Sequence, residues 1–491
     1  MKVTSTENGP SSFFTPASTT FVKGSRVWYV LLIVLMLASS CATYAPEQRP
    51  HAPLELPQTF TLYETSAPSP ERWWESFGSA ELNSLVEEAL KDSLTLKQAY
   101  SRLEQSRALV AKAGSDRWPD LQLTSEISNT RRRTDTGTAS VSTSTEKKRA
   151  LSLATSYELD LWGEVKSKYL SARFDMEVSR EELNTAALTL ASEVTLKWLE
   201  IISISQQLEL ISNQLETNLI TLELIELRFR KGAATVLDVF QQRQAVKETE
   251  SSIPLLEAQL QTLKHELAVL LGKPPRARLS FGSAHLPEVG SIPDTGIPAD
   301  LLSRRPDVRA AGLRLKSADW MVSAARADRL PAVRLTGSAG FSAGEWSLLF
   351  DNWIRTLAAS ITAPFFDGGN RSAEARRRIQ LVDERLAAYR LAVLTAIREV
   401  EDALVNEGKQ TEYISALSDR LEIVRSALTE ALQRYRKGLN DYLPVLSALT
   451  STQQLERNLV QARFQRLTYR VKLYRALGGS WMWDELDSSG E

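Results

Sequence analysis

Residues 164 to 231 contain neither glycine nor proline, and as one helix these 68 residues would extend ~100 Å. Few globular folds can house such a rod. From Leu183 to Phe229 an apolar side chain recurs through Ala187, Leu190, Val194, Trp198, Ile201, Ile204, Leu208, Ile211, Leu215, Leu219, Leu222 and Ile225. The mean spacing of about 3.5 residues belongs to coiled-coil packing. These side chains are expected to hold rods together, not to bind a cofactor. Two shorter helices, near 82–114 and 233–271, together match the rod in length and are expected to stack end to end beside it.

The plan occurs twice. Arg228-Phe-Arg-Lys-Gly232 followed by Leu237 and Val239 recurs as Arg434-Tyr-Arg-Lys-Gly438 followed by Leu443 and Val445, an offset of 206 residues. That offset holds from Leu271-Gly272 to Leu477-Gly478. Upstream, Asp116-Arg-Trp-Pro119 matches Asp328-Arg-Leu-Pro331 at an offset of 212. The first repeat is assigned to 76–280 and the second to 298–483, with a linker at 281–297 rich in Pro and Gly and a short tail at 484–491. The second rod is expected over 371–437, with Gly408 as a point of local irregularity.

Each repeat also holds two short alternating segments. Leu151, Leu153, Thr155, Tyr157, Leu159 and Leu161 alternate with Ser152, Ala154, Ser156, Glu158 and Asp160; the others lie near 119–131, 331–341 and 353–365. Period-2 alternation over about 10 residues suits a strand with one face to lipid and one to water. Thr134 to Glu146 reads as a long polar connection. Four strands cannot close a barrel alone, and an open edge is not tolerated in lipid. Three chains would supply twelve. The expected fold class is therefore an internally duplicated α+β membrane protein: a long α-helical coiled-coil barrel joined to a trimeric transmembrane β-barrel with four strands per chain.

Lys23 and Arg26 precede the apolar run Val27 to Ala38, then Ser39-Ser40-Cys41. The run is too short to span a bilayer, which takes about 20 residues, and describes an export signal. Cys41 is the only cysteine of the chain and falls at the expected cut. Residues 1–40 thus resemble a lipoprotein signal, with Cys41 the acylated anchor; an ordinary signal with an incidental cysteine is the other reading. The Pro-rich segment 41–75 reads as a tether.

Lys plus Arg total 59 against 60 for Asp plus Glu, which leaves no basic excess for a nucleic-acid partner. Basic clusters at Arg131–Arg133 and Lys147–Arg149 read as solvated loop surface, with lipopolysaccharide phosphates the second reading. Three histidines and one cysteine are a poor inventory for a metal or thiol site. No motif cradles a phosphate or activates a nucleophile, so neither catalytic residue nor cofactor nor metal is expected.

The duplicated turns at Gly232 and Gly438, the RxPxL strand entries, Asp160-Leu-Trp-Gly163, Pro364-Phe-Phe-Asp-Gly-Gly369 and Cys41 together resemble the TolC-like outer-membrane factors. The similarity is greatest to the lipoprotein channels, the NodT-like branch, that serve resistance-nodulation-division pumps. The resemblance implies a homotrimeric, passive exit duct for small molecules in the outer membrane, fed by an inner-membrane transporter through a periplasmic adaptor. It implies that the turns with Arg228, Gly232, Arg434 and Gly438 form the adaptor-docking tip. It further implies a periplasmic gate in which Asp238 bonds Tyr435, with Arg436 or Arg434 replacing an arginine of the family that is Asn440 here. A periplasmic coiled-coil scaffold and a duct for type I protein secretion are the alternative readings.

Overall fold

The computed structural model describes residues 44–46, 57, 60, 72–135, 137, 141–279, 281–282, 285–293 and 295–478. The export signal and Cys41 lie outside the described residues, as do most of the tether and the tail.

The chain divides into a strand unit and a helical unit. In the strand unit β1 (Asp120–Asp135), β2 (Val141–Leu159), β3 (Ala332–Ala343) and β4 (Trp353–Thr362) form one sheet in the order β1-β2-β3-β4. β2 and β3 pair antiparallel with Tyr157 opposite Leu335 and Leu151 opposite Phe341; β3 and β4 continue with Phe341 opposite Trp353. Odd-numbered side chains therefore share one face, in rows such as Leu159/Val333/Ile361 and Leu151/Phe341/Trp353. The even face carries small polar groups, with Ser156 opposite Thr336 and Ala358 beyond. The first two strands are longer than expected: β1 runs to Asp135 and β2 begins at Val141, so most of the Thr134–Glu146 connection is strand. Trp162 Nε1 donates to Pro331 O at 2.7 Å, tying the exit of β2 to the entry of β3.

The helical unit contains, in chain order, α1 (Ala80–Asp92), α2 (Leu94–Ser115), α3 (Glu164–Arg230), α4 (Val236–Leu270), α5 (Leu301–Arg304), α6 (Pro306–Ala327), α7 (Asn370–Arg436) and α8 (Leu443–Leu477). α3 and α7 are the expected rods, each of 67 residues. The single helix expected over 82–114 is instead two, broken at the buried Ser93, whose extended ψ of 130° interrupts the helix. Its counterpart in the second repeat is the break at Arg305, enforced by Pro306, since the residue before proline avoids helical geometry. The repeat is visible at atomic level there. A Cβ on Gly272 would stand 2.6 Å from Asp92 O, and one on Gly478 2.8 Å from Arg304 O.

Gly408 marks no irregularity, because α7 is continuous through it. Packing overrides the weak helix propensity of glycine there. The adjacent Glu407 is locked by Arg470 of α8, both side chains 3% exposed. Arg470 Nη2 donates to Glu407 Oε1 at 2.6 Å, while Nη1 donates to Ser291 O at 2.8 Å and Nη2 to Gly290 O at 3.1 Å. One buried guanidinium so fastens the linker to two helices.

The largest core gathers Leu183, Ala187, Leu190, Val194, Trp198 and Ile201 of α3 against Leu82 and Val86 of α1, Leu263 and Leu267 of α4, and Tyr474 of α8. Trp73 and Trp74, within the range read as tether, are not extended. They sit in a short 3-10 turn at 1% exposure each, with Trp73 stacked on Tyr474 at 5.4 Å. Among the described residues no helix is long and apolar enough to cross a membrane.

Candidate functional site

The two helix-to-helix turns have one geometry. At the end of α3, Gly232 N donates to Phe229 O at 2.9 Å and Ala233 N to Arg228 O at 2.9 Å. At the end of α7, Gly438 N donates to Tyr435 O at 3.0 Å and Leu439 N to Arg434 O at 2.9 Å. Both glycines sit at φ 72°, the left-handed residue of a Schellman turn that satisfies the last carbonyls of the rod. A Cβ at either would meet nothing within 4 Å, so the requirement is torsional and not steric. Gly232→Ala together with Gly438→Ala is therefore expected to cost about 1–2 kcal/mol per turn and to increase protease nicking at the turns. Unchanged nicking and an unchanged melting profile would refute the torsional requirement.

The helices leaving the turns begin differently. Thr235 caps α4: Asp238 N donates to Thr235 Oγ1 at 3.2 Å, and Thr235 N donates back to Asp238 Oδ2 at 2.8 Å. In the second repeat Pro444 stands where Asp238 stands in the first, in the opening turn of α8. Proline has no N–H at that position, so the hydroxyl acceptor that Thr235 provides for Asp238 N has nothing to serve there.

Beside the turns Ile225, Val239, Tyr435, Tyr442 and Val445 form a small buried cluster. The Arg228 guanidinium lies 4.4 Å from the Tyr435 ring centroid, and the Tyr435 and Tyr442 rings are 5.6 Å apart. Burial pushes the Tyr435 hydroxyl above its ordinary pKa; the Arg228 charge opposes that shift and the Asp238 charge adds to it. Tyr442 is raised as well, chiefly by burial.

Within the chain the expected latch bond is not made. Asp238 and Tyr435 are not hydrogen-bonded: the carboxylate is engaged in its own cap, and the buried Tyr435 hydroxyl has no hydrogen-bond partner among the described residues. Arg434 and Arg436 are exposed and join neither group. What the structure brings together instead is Arg228 with Tyr435, and Tyr442 with Gln242.

From Tyr442 a buried polar chain runs along the rods. The Tyr442 hydroxyl donates to Gln242 Oε1, and Gln242 Nε2 donates to Asn218 O at 2.7 Å. Gln453 Nε2 donates to Asn218 Oδ1 at 2.9 Å, and Asn218 Nδ2 to Thr249 Oγ1 at 2.9 Å. Gln214 Nε2 donates to Gln453 O at 3.1 Å, and Arg457 Nη1 to Gln214 Oε1 at 2.6 Å. Sequence reading missed this layer because it followed the leucines. The apolar stripe holds from Leu183 to Ile211 and again at Ile225, but between them Gln214 and Asn218 take buried positions. Leu219 and Phe229, expected to be packed, are each 44% exposed. The available signal was Gln214 and Asn218, four residues apart and continuing the helical spacing from Ile211.

The signature of the family described as outer membrane efflux protein matches residues 85–273 and 297–479 of the chain. The pyoverdine export outer membrane protein OpmQ of Pseudomonas putida is 32% identical over 463 residues, covering 92% of this chain and 97% of the relative. The outer membrane protein OprJ of Pseudomonas aeruginosa is 30% identical over 455 residues, covering 92% and 95% respectively. The solved outer-membrane channel OprN superposes with a TM-score of 0.82 at 28% identity, covering 90% of this chain and 99% of that channel. With its duplicated rods, paired turns and four-stranded antiparallel sheet, the chain belongs to the outer membrane efflux protein family and is the outer-membrane channel of an efflux system.

Proposed function

We propose that the chain works as a homotrimeric, passive exit duct, anchored by an acylated Cys41 and performing no catalytic step. The observation that carries this reading is the sheet. β1 and β4 are unpaired edges, and the odd face between them is apolar, with Leu357 89% and Ile361 74% exposed. Unpaired strand edges are costly in hydrocarbon, so copies of the sheet must complete one another. Three copies of four strands close a ring of twelve, within the range of known barrels. From Leu151 to Leu159 the apolar rows extend roughly 27 Å along the strand, on the scale of the ~25 Å apolar band of such barrels.

Exposed Leu227, Phe229, Leu237, Leu439 and Leu443 lie at or beside the two turns. An apolar group of that kind suits a protein partner. That partner is a periplasmic adaptor that links the duct to an inner-membrane pump of the resistance-nodulation-division type. That pump supplies the energy, and it does most of the selecting among small-molecule cargoes. The closed tip is held by Arg228 on Tyr435 and by Tyr442 on Gln242, and adaptor binding shifts the population toward an open one.

The test is single-channel conductance of the purified protein in planar bilayers, alongside its oligomeric mass. Trimers with discrete conductance steps are expected; a species that never conducts and needs no detergent would refute the duct. Arg228→Ala with Tyr442→Phe should raise the mean conductance severalfold. Asp238→Asn, whose side chain hydrogen-bonds within its own helix cap and to neither tyrosine, should leave it within about twofold. No rise in the first variant would remove the gate from this cluster.

A further inference from the structure

The extension of β1 and β2 changes the meaning of the basic residues near their tips. Arg131, Arg132 and Arg133 stand on β1, and Lys147, Lys148 and Arg149 on β2, so their side chains alternate between the faces of the sheet. Lys148 Nζ donates to Glu126 Oε2 at 2.8 Å across the hairpin, which places even-numbered side chains of both strands together. The two faces are charged differently. The even face mixes Arg132 and Lys148 with Glu126 and Glu146. The odd face carries Arg131, Arg133, Lys147 and Arg149, with Arg355 of β4.

The one carboxylate on the odd face of the four strands is Asp135, and it serves the turn by accepting from Gly137 N at 3.0 Å. Arg131, Arg133 and Lys147 have no ion-pair partner among the described residues, whereas the even-face Lys148 has one. Like charges gathered on one face with a single carboxylate among them repel one another, and a bound anion relieves that repulsion.

The odd face is also the apolar face, and the order along it is informative. Leu151 pairs with Phe341, and Phe341 pairs with Trp353. One row beyond Leu151 stands Arg149, which lies 5.2 Å from the Trp346 ring and donates to Gly344 O. Arg355, one row inside Trp353, stacks on that ring at 4.5 Å. Arg355 apart, the rows run from leucines through aromatic rings to cations, the sequence met on crossing from hydrocarbon through the interfacial girdle to lipid headgroups.

We propose that this odd-face ridge of Arg131, Arg133, Lys147 and Arg149 binds the phosphate groups of an outer-leaflet lipid of the lipid A class. The proposal rests on the reading that the odd face meets the membrane. Guanidinium and ammonium groups form charge-assisted bonds with phosphate oxygens, and acyl chains of the same lipid would lie along the leucine rows below.

The full-length protein in neutral detergent tests this by native mass spectrometry, which reads oligomeric mass and bound lipid together. The probes are diphosphoryl lipid A and the same lipid with both phosphates removed. Relative to the wild type, the triple variant R131Q/R133Q/K147Q is expected to lose at least about tenfold in affinity for diphosphoryl lipid A. The even-face variant R132Q/K148Q is expected to bind like the wild type, dephosphorylated lipid A to bind weakly, and equimolar inorganic phosphate to displace nothing. Equal binding by the triple variant, an equal loss in the even-face variant, or equal retention of the dephosphorylated lipid would overturn the site while leaving the trimeric channel standing. A monomeric wild type that needs no detergent would overturn the channel reading itself, and this site with it.

Discussion

Arg470→Met is expected to destabilise the helical unit by about 3–5 kcal/mol, the cost of leaving a buried carboxylate without its counter-charge. Glu407 and Arg470 are each 3% exposed, so neither side chain has water to fall back on. The same guanidinium donates to the carbonyls of Gly290 and Ser291, and those acceptors are orphaned as well. Thermal unfolding of the detergent-solubilised protein reads the effect as a lowered transition. The first repeat supplies the control. At the same offset of 206 residues it has Ile201 where the second has Glu407, and Lys264 where the second has Arg470. Ile201 is fully buried in the main core, and Lys264 lies 5.6 Å from the Phe281 ring. Adding Glu407→Leu to Arg470→Met should therefore recover most of the lost stability, since an apolar replacement of a buried pair is often neutral or better. A single variant that melts with the wild type would refute the role assigned to the pair.

The second large effect is expected in the sheet. A Cβ on Gly340 would stand 2.8 Å from both Leu151 O and Ser152 Cβ, and 2.9 Å from Ser152 Cα. Backbone atoms of a paired strand cannot withdraw without breaking the ladder, so Gly340→Val should pry β3 from β2. With the order β1-β2-β3-β4, the sheet then separates into two hairpins, neither stable alone. Assembled channel recovered from membranes is expected to fall at least tenfold. Gly337 offers the contrast. A Cβ there meets the Thr155 Cγ2 methyl at 3.1 Å, a contact that a small shift relieves, and Gly337→Ala should assemble to within about twofold of wild type. Normal assembly of Gly340→Val would show that the β2–β3 pairing is not what holds the sheet together.

Much of the fold follows from local chemistry. Absence of glycine and proline together with a spacing of about 3.5 residues suffices for the rods, and α3 and α7 end within a residue of expectation. The turns at Gly232 and Gly438 are equally local, because the positive φ they need is a property of one residue. Strand alternation carried the four segments, though not the full length of β1 and β2. Their outer ends are Ser, Thr and charged residues, which lengthen a hairpin only when the partner strand is already there to pair with.

The candidate site was legible only in part. Its place at the duplicated turns is written in the sequence, whereas its partners are not. Asp238 could cap its own helix or bond Tyr435, and Thr235 three residues away won because that partner is held at fixed distance by the chain itself. Gln214 and Asn218 are polar residues that would sit on the solvent side of an isolated helix. Helices α4 and α8 bring Gln242, Thr249 and Gln453 to them, and so make burial affordable. Leu219 and Phe229, which continue the apolar period, remain on the exposed side of the rod.

By itself, then, the sequence determined the rods, the turns, the strand faces and the duplication, all fixed by periodicity and torsional preference within one element. Only the tertiary structure decided which polar groups are buried together, as with Arg470 and Glu407, and which basic residues share a face, as with Arg131, Arg133, Lys147 and Arg149. Those outcomes depend on register and approach between segments far apart in the chain, and no local period encodes them.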